Sequence, residues 1–205
     1  MGDVVAELLT AFSHVVCIDD GSTDGSPTIA RAAGATVVEH PVNLGQGAAL
    51  QTGLHFALQD PATTEIVTFD ADGQHLVSDA KAMVARIQSG EADVVLGSRF
   101  LDHRTKISPV KRIVLRLAAV ESHWATGMAL TDAHNGLRAF NAATAARIEL
   151  SQNRMAHASE LVQQLSVLKP RWVEHPVQII YTDYSKAKGQ SLLNSVNILS
   201  DLLFR

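Results

Sequence analysis

The chain has 205 residues and a mass of 22.0 kDa, with 46% hydrophobic and 19% charged residues and a formal net charge of −4. That is enough for one domain with a substantial core, too apolar for a disordered chain, and too weakly charged for an extended nucleic-acid surface. One cysteine, Cys17, excludes an internal disulfide framework. No apolar run approaches the roughly 20 residues that span a bilayer, and Gly2, Asp3 and Glu7 interrupt any signal-peptide pattern, so a cytoplasmic setting is expected.

Val4, Val5, Leu8, Leu9 and Phe12 follow helical spacing, and the short apolar run 15–18 reads as a buried strand. It enters Asp19, Asp20 and a Gly/Ser-rich turn. Ser26 as N-cap, Pro27 at the first helical position and Gly34 as a stop predict a helix over 27–33. A strand follows over 35–39, then a helix with Leu50, Leu54 and Leu58 on one stripe. The run 65–69 is a strand that ends in Asp70 and Asp72; 78–88 reads as helix and 93–97 as strand. This alternation predicts a largely parallel sheet with ligands at the carboxyl ends of its strands, where both acidic motifs sit.

The second half is less regular. A basic stretch runs from Arg104 to Arg116, HNGLRAF contains a Gly turn, and Asn141 caps a helix. A helix over 159–168 and a strand over 172–181 follow, and the last fifteen residues are helical, with Leu192, Val196, Leu199 and Leu203 on one face. The expected division is a domain over 1–185 and a C-terminal loop and amphipathic helix over 186–205.

FDADGQ, Phe69 to Gln74, carries the most chemistry. An extended backbone through Asp70, Ala71 and Asp72 would aim both carboxylates to one side, where they can share a hard divalent cation such as Mg²⁺ or Mn²⁺. A solvated strand end is the plain alternative, as a capped turn is for Asp19 and Asp20.

With IDDGSTDGS, NLGQGAAL, FDADGQH, VVLGSRF, NGLRAF and KAKGQS in this order, the chain resembles the family 2 glycosyltransferases of the GT-A type, most closely the dolichyl- or polyprenyl-phosphate sugar synthases. The resemblance implies a Rossmann-like α/β fold and inverting, metal-assisted transfer of a hexose from GDP-mannose or UDP-glucose to a polyprenyl-phosphate acceptor. Metal ligands would be Asp70, Asp72 and Gln74, and the catalytic set Asp70, Asp72, Arg99 and Asp132. Nucleotide-sugar contacts would come from Ile18, Asp19 and Asp20, from Asp70, Ala71 and Asp72, and from Arg99, Lys186 and Lys188. Asp132, Arg138 and Glu160 match acceptor-side positions, although capping and core ion pairing explain them as well. Asn43, Gly45 and Gly47 read as turn and helix-start residues, and His75, His134 and His157 as structural or supporting residues.

A phosphate monoester is mostly dianionic near neutral pH and attacks without a general base, so the absence of a motif dedicated to a base favours a lipid phosphate. The alternatives are a transferase with a soluble acceptor, which needs a base, and a non-catalytic relative. The C-terminal helix suits a peripheral membrane contact, or packing on the domain or on a second subunit. Family members normally begin with a strand, and the sequence opens at the helix expected just after it; either the start lies upstream, or another segment or chain is expected to fill an open apolar slot beside the strand at Val15, a route to self-association.

Overall fold

A computed structural model describes residues 1–154 and 156–180. The elements are α1 (Gly2–Leu9), β1 (Val16–Asp19), α2 (Ser26–Ala32), β2 (Thr36–Glu39), α3 (Gln46–Ala57), β3 (Glu65–Thr68), α4 (Val77–Gln88), β4 (Val94–Ser98), α5 (Pro109–Thr126), β5 (Arg138–Asn141), α6 (Ala142–Ala145), α7 (His157–Leu168) and β6 (Trp172–Pro176). The expected elements of the first hundred residues are present, with ends displaced by a residue or two. The C-terminal loop and helix expected over 186–205, with Lys186 and Lys188, lie outside the described residues.

Two elements escaped the sequence reading. Most of the basic stretch is helix α5, which begins at Pro109 with Ser108 Oγ accepting from the Lys111 N–H (3.3 Å) and stops at Gly127 in the left-handed region. HNGLRAF is a turn only as far as Leu137; Arg138 then opens β5.

The α/β class is as expected, and the strands run mostly parallel, with β5 the exception among the described strands. Strands β1 and β2 form a parallel pair, and the other four run in the order β3-β5-β4-β6. Strand β5 enters between β3 and β4 antiparallel to both, and β4 and β6 are parallel. Strand β4 is buried throughout because both faces of this sheet are covered, which explains its continuous apolar run. Val94, Leu96 and Phe140 face a core with Leu161, Val162 and Leu165 of α7, while Val95 and Ala139 face Ala80 and Met83 of α4. A smaller core unites Val5, Ala30 and Ala35 with β1 and β2.

Among the described residues no strand joins the two sheets. Between them lies a cavity of about 2050 Å³, lined on one side by Val16, Cys17 and Ile18 and on the other by Ile66, Val67 and Thr68. Helix α3 bridges both sides, with Gly53 against Ile18 and Leu54 in the larger core. The acidic motifs stand at the carboxyl ends of β1 and β3, where this cavity meets the loops.

Candidate active site

Strand β3 ends at Thr68, and two residues later Asp70 enters the cavity. The backbone does not stay extended: residues 71–74 form a turn, in which Asp72 Oδ1 accepts from the Gln74 N–H (3.0 Å). Asp72 is thereby exposed at the cavity wall, whereas Asp70 is held from two sides. Its Oδ1 lies 3.3 Å from Gln46 Nε2 and its Oδ2 3.3 Å from His75 Nε2. Burial alone would raise the Asp70 pKa, but the His75 hydrogen bond and the charges of His75, Arg138 and His157 hold it below the usual carboxylate value. His75 is itself buried, edge-on to Phe69, and its Nδ1 has no hydrogen-bond partner among the described residues.

On the far side of Asp70 comes the HNGLRAF turn. Gly136 approaches so closely that a Cβ there would overlap the Asp70 carboxylate. Two residues on, Arg138 is 3% exposed and lines the same cavity. Burial lowers its guanidinium to about 10, against the opposing pull of Asp70 and Asp132. Those two carboxylates are otherwise engaged, with His75 and with Arg99, and Arg138 has no carboxylate at ion-pair distance among the described residues. His134 and His157 also line the cavity. Burial first, and the charge of Arg138 next, push both imidazoles below their ordinary value, so at neutral pH Arg138 is the cation of this wall. The sequence reading noted Arg138 only as an acceptor-side match, because nothing local shows that β5 buries it beside Asp70.

Arg99, just past β4, lines the cavity and is oriented by Asp132, whose Oδ2 accepts from Arg99 Nε (2.5 Å) and from its N–H (3.1 Å). Asn135 Nδ2 reaches the same oxygen at 3.3 Å. Asp132 is buried and outside the cavity lining, so its geometry is that of an anchor for Arg99.

Neither Asp19 nor Asp20 lines the cavity, although Ile18 does. Asp19 Oδ2 accepts from the Ser22 N–H (3.0 Å), a capped turn. Asp20 accepts from the backbone N–H groups of Leu44 (2.8 Å) and Gly45 (2.7 Å) and pairs with His40 Nδ1 (2.8 Å). It thus ties the NLGQG loop to β1. Gly45, at φ +103°, and Gly47 pack on the backbone of Gln152 and Asn153, with Gly47 N–H donating to the Asn153 carbonyl (2.8 Å), as expected of close-approach glycines. Glu160 caps the backbone at Ser151 and Gln152 and is remote in role from any acceptor.

Asp70, Ala71, Asp72, Gln74 and Arg99 therefore share one cavity, while Asp19, Asp20 and Asp132 support its rim from behind. Among the described residues no three His, Cys, Asp or Glu side chains form a metal cluster. Two carboxylates and one amide oxygen nonetheless suit Mg²⁺ or Mn²⁺, which take few protein ligands and complete their shell with water and substrate phosphate. The missing Cβ at Gly136 is what leaves the Asp70 carboxylate its place on this wall.

The family model of Glycosyl transferase family 2 matches residues 3–120. The uncharacterized protein MJ1222 of Methanocaldococcus jannaschii is 34% identical over 198 residues, which cover 95% of this chain and 81% of that protein. A UDP-N-acetylglucosamine–dolichyl-phosphate N-acetylglucosaminyltransferase of Methanococcus voltae is 28% identical, with 94% of this chain and 84% of that protein covered. Among solved structures, glucosyl-3-phosphoglycerate synthase from Mycobacterium tuberculosis, in complex with Mn²⁺, UDP-glucose and phosphoglyceric acid, has a TM-score of 0.66 at 16% identity. The match covers 98% of this chain and 73% of that one, and is a likeness of fold.

Proposed function

The chain belongs to glycosyl transferase family 2 and is a glycosyltransferase, and from that premise we propose that it moves a hexose from a nucleotide diphosphate sugar to a polyprenyl-phosphate-type acceptor, with inversion. One observation carries the reading: a buried guanidinium, Arg138, without an ion-pair partner among the described residues, in the cavity wall beside the acidic turn. Such a charge is costly unless an anion completes it, and a phosphate is the anion that the acidic turn and the family both imply. The Methanococcus voltae relative, named for a dolichyl-phosphate acceptor, supports the same class.

In this reading Asp70, Asp72 and Gln74 would hold Mg²⁺ or Mn²⁺. When bound, the cation neutralises negative charge that builds on the departing diphosphate. His75 and Gln46 fix the Asp70 carboxylate before substrate arrives, so little reorganisation remains for the reaction itself. Arg138 draws the acceptor phosphate into the cavity, and Arg99, oriented by Asp132, presents its positive charge to the same cavity on the donor side. A dianionic phosphate oxygen attacks the anomeric carbon and the sugar–diphosphate bond breaks on the opposite face, a single displacement that inverts the centre. No side chain need accept a proton, which agrees with Asp132 being bound to Arg99. The C-terminal Lys186 and Lys188 belong to the proposal as further phosphate contacts.

The test is calorimetric titration of GDP-mannose, UDP-glucose and UDP-N-acetylglucosamine, with and without Mn²⁺, into the protein and its Asp72→Ala variant, followed by transfer assays to polyprenyl phosphate and to phosphoglyceric acid. Metal-dependent binding lost in the variant, with transfer to the lipid, supports the reading. Transfer to the soluble acid alone replaces the acceptor, and no donor binding by folded protein sinks the catalytic role.

A further inference from the structure

Helix α5 presents two faces. Ala118, Ala119 and Ser122 are buried, and Lys111, Leu115 and Ala118 line the candidate active-site cavity. The opposite face carries Val110, Ile113, Leu117 and Val120, each more than half exposed, and Trp124 at 85%. These five recur at intervals of three and four residues, a single apolar stripe along an 18-residue helix of about 27 Å. Nothing described in the chain covers the stripe.

We propose that this face of α5 docks on an anionic lipid surface and brings the mouth of the cavity to lipid-borne phosphate. Charge decides the occupant. Between Asp102 and Glu121 the sequence holds no carboxylate but has Arg104, Lys106, Lys111, Arg112 and Arg116, in a chain whose net charge is −4. Arg104 is consumed by Asp79 and Asp102; Lys106, Arg112 and Arg116 are exposed, and the last two, four residues apart, run along one border of the stripe. An apolar stripe bordered by arginines and ended by an exposed tryptophan is the pattern of a helix lying in the lipid interface. At its N-terminal end a further cavity of about 540 Å³, lined by Lys106, Ile107, Lys111 and Ile180, continues the mixture of cation and apolar side chain.

Two other occupants fit less well. Residues 181–205 space leucines at helical intervals but carry net charge +1, from Lys186, Lys188 and Arg205 against Asp183 and Asp201, so they do not complement the cations of α5. A second copy would bring the same arginines, and the stripe spans little more than two heptads, short of what a coiled coil sustains. The proposal takes its purpose from the lipid-linked acceptor, but the docking chemistry stands without it.

The test uses the full chain and vesicles free of acceptor and donor, made of phosphatidylcholine with or without phosphatidylglycerol. Co-sedimentation is compared for the wild type, Leu117→Ser/Trp124→Ser and Arg112→Ser/Arg116→Ser. The wild type should bind the anionic vesicles and release with salt. The apolar variant should lose binding, and the arginine variant should bind about tenfold or more weakly. Donor titration should be unchanged in both, which shows intact folding and separates failure of docking from failure of the transferase reading. Absence of wild-type binding, or equal binding by all three, overturns the proposal. Sedimentation that reveals a dimer dissolved by Leu117→Ser/Trp124→Ser assigns the face to a second copy instead.

Discussion

Gly136 stands where a single added carbon would overlap the carboxylate of Asp70, the residue on which the acidic turn is built. Gly136 does not need the left-handed region, so alanine is admissible to the backbone and acts through that overlap alone. Gly136→Ala should displace Asp70 and weaken metal-dependent donor binding by roughly tenfold or more, with only a small fall in Tm. Gly47→Ala is the contrast, because its Cβ would meet the carbonyl of Gln152, which is backbone and cannot swing away. Thermal melts should show a loss of about 2 kcal/mol or more there. Equal donor affinity in Gly136→Ala and wild type would remove Asp70 from the site.

Arg138 is held at a cost. Burial brings its pKa down to about 10, a penalty on the charged form on the order of 3 kcal/mol. A depressed cation means that the penalty is present below the folded value and relieved only as pH rises through about 10. Arg138→Met should therefore raise stability by about 1–3 kcal/mol at neutral pH while abolishing transfer. A denaturant titration and an assay on the same sample check both halves. A less stable variant would mean that Asp70 and Asp132 already compensate the charge.

Acid should destabilise the fold through Asp20 and Asp93. Burial pushes Asp20 up, yet hydrogen bonds from His40, Leu44 and Gly45 outweigh it; Asp93 is held down first by its hydrogen bond from Arg171. Both carboxylates lie below their ordinary 3.8, so their stabilisation is complete above that value and is lost as pH falls through the folded one. Asp20→Asn should lower Tm at neutral pH and flatten its fall below about pH 4. Donor titration of the same variant separates anchoring of the NLGQG loop from direct nucleotide contact.

The Arg99–Asp132 pair has side chains only 11% and 1% exposed, so breaking either half leaves a buried charge. Asp132→Asn and Arg99→Gln should each raise KM with a smaller effect on kcat. Their double mutant should be less impaired than the sum, by a coupling of about 1–3 kcal/mol. A large fall in kcat with loss of the acidic limb of the pH–rate profile, confined to Asp132→Asn, would instead identify Asp132 as a base.

Local chemistry made much of this legible in advance. Apolar runs bounded by Gly, Pro and Asp marked the strands other than β5, Asn141 marked α6, and the paired acids marked the ends of β1 and β3, because caps, turns and strand periodicity act over a few residues. Helix α5 was hidden by its charges, although Ser108 and Pro109 were a start signal and the apolar residues from Val110 to Trp124 already had helical spacing.

The sequence by itself determined an α/β chain with acidic strand ends and a set of motifs shared with family 2 glycosyltransferases. Only the tertiary structure decided how each acid is used. Asp20 is spent on Leu44 and Gly45, Asp132 on Arg99 and Glu160 on Ser151, and Asp72 is left at the cavity wall. It also decided that β5 runs antiparallel between β3 and β4, with Thr68 opposite Arg138, and so buries a guanidinium beside Asp70. The reason is distance along the chain: strand pairing and charge pairing here join residues dozens of positions apart, and no local spacing encodes which carboxylate a remote donor will claim.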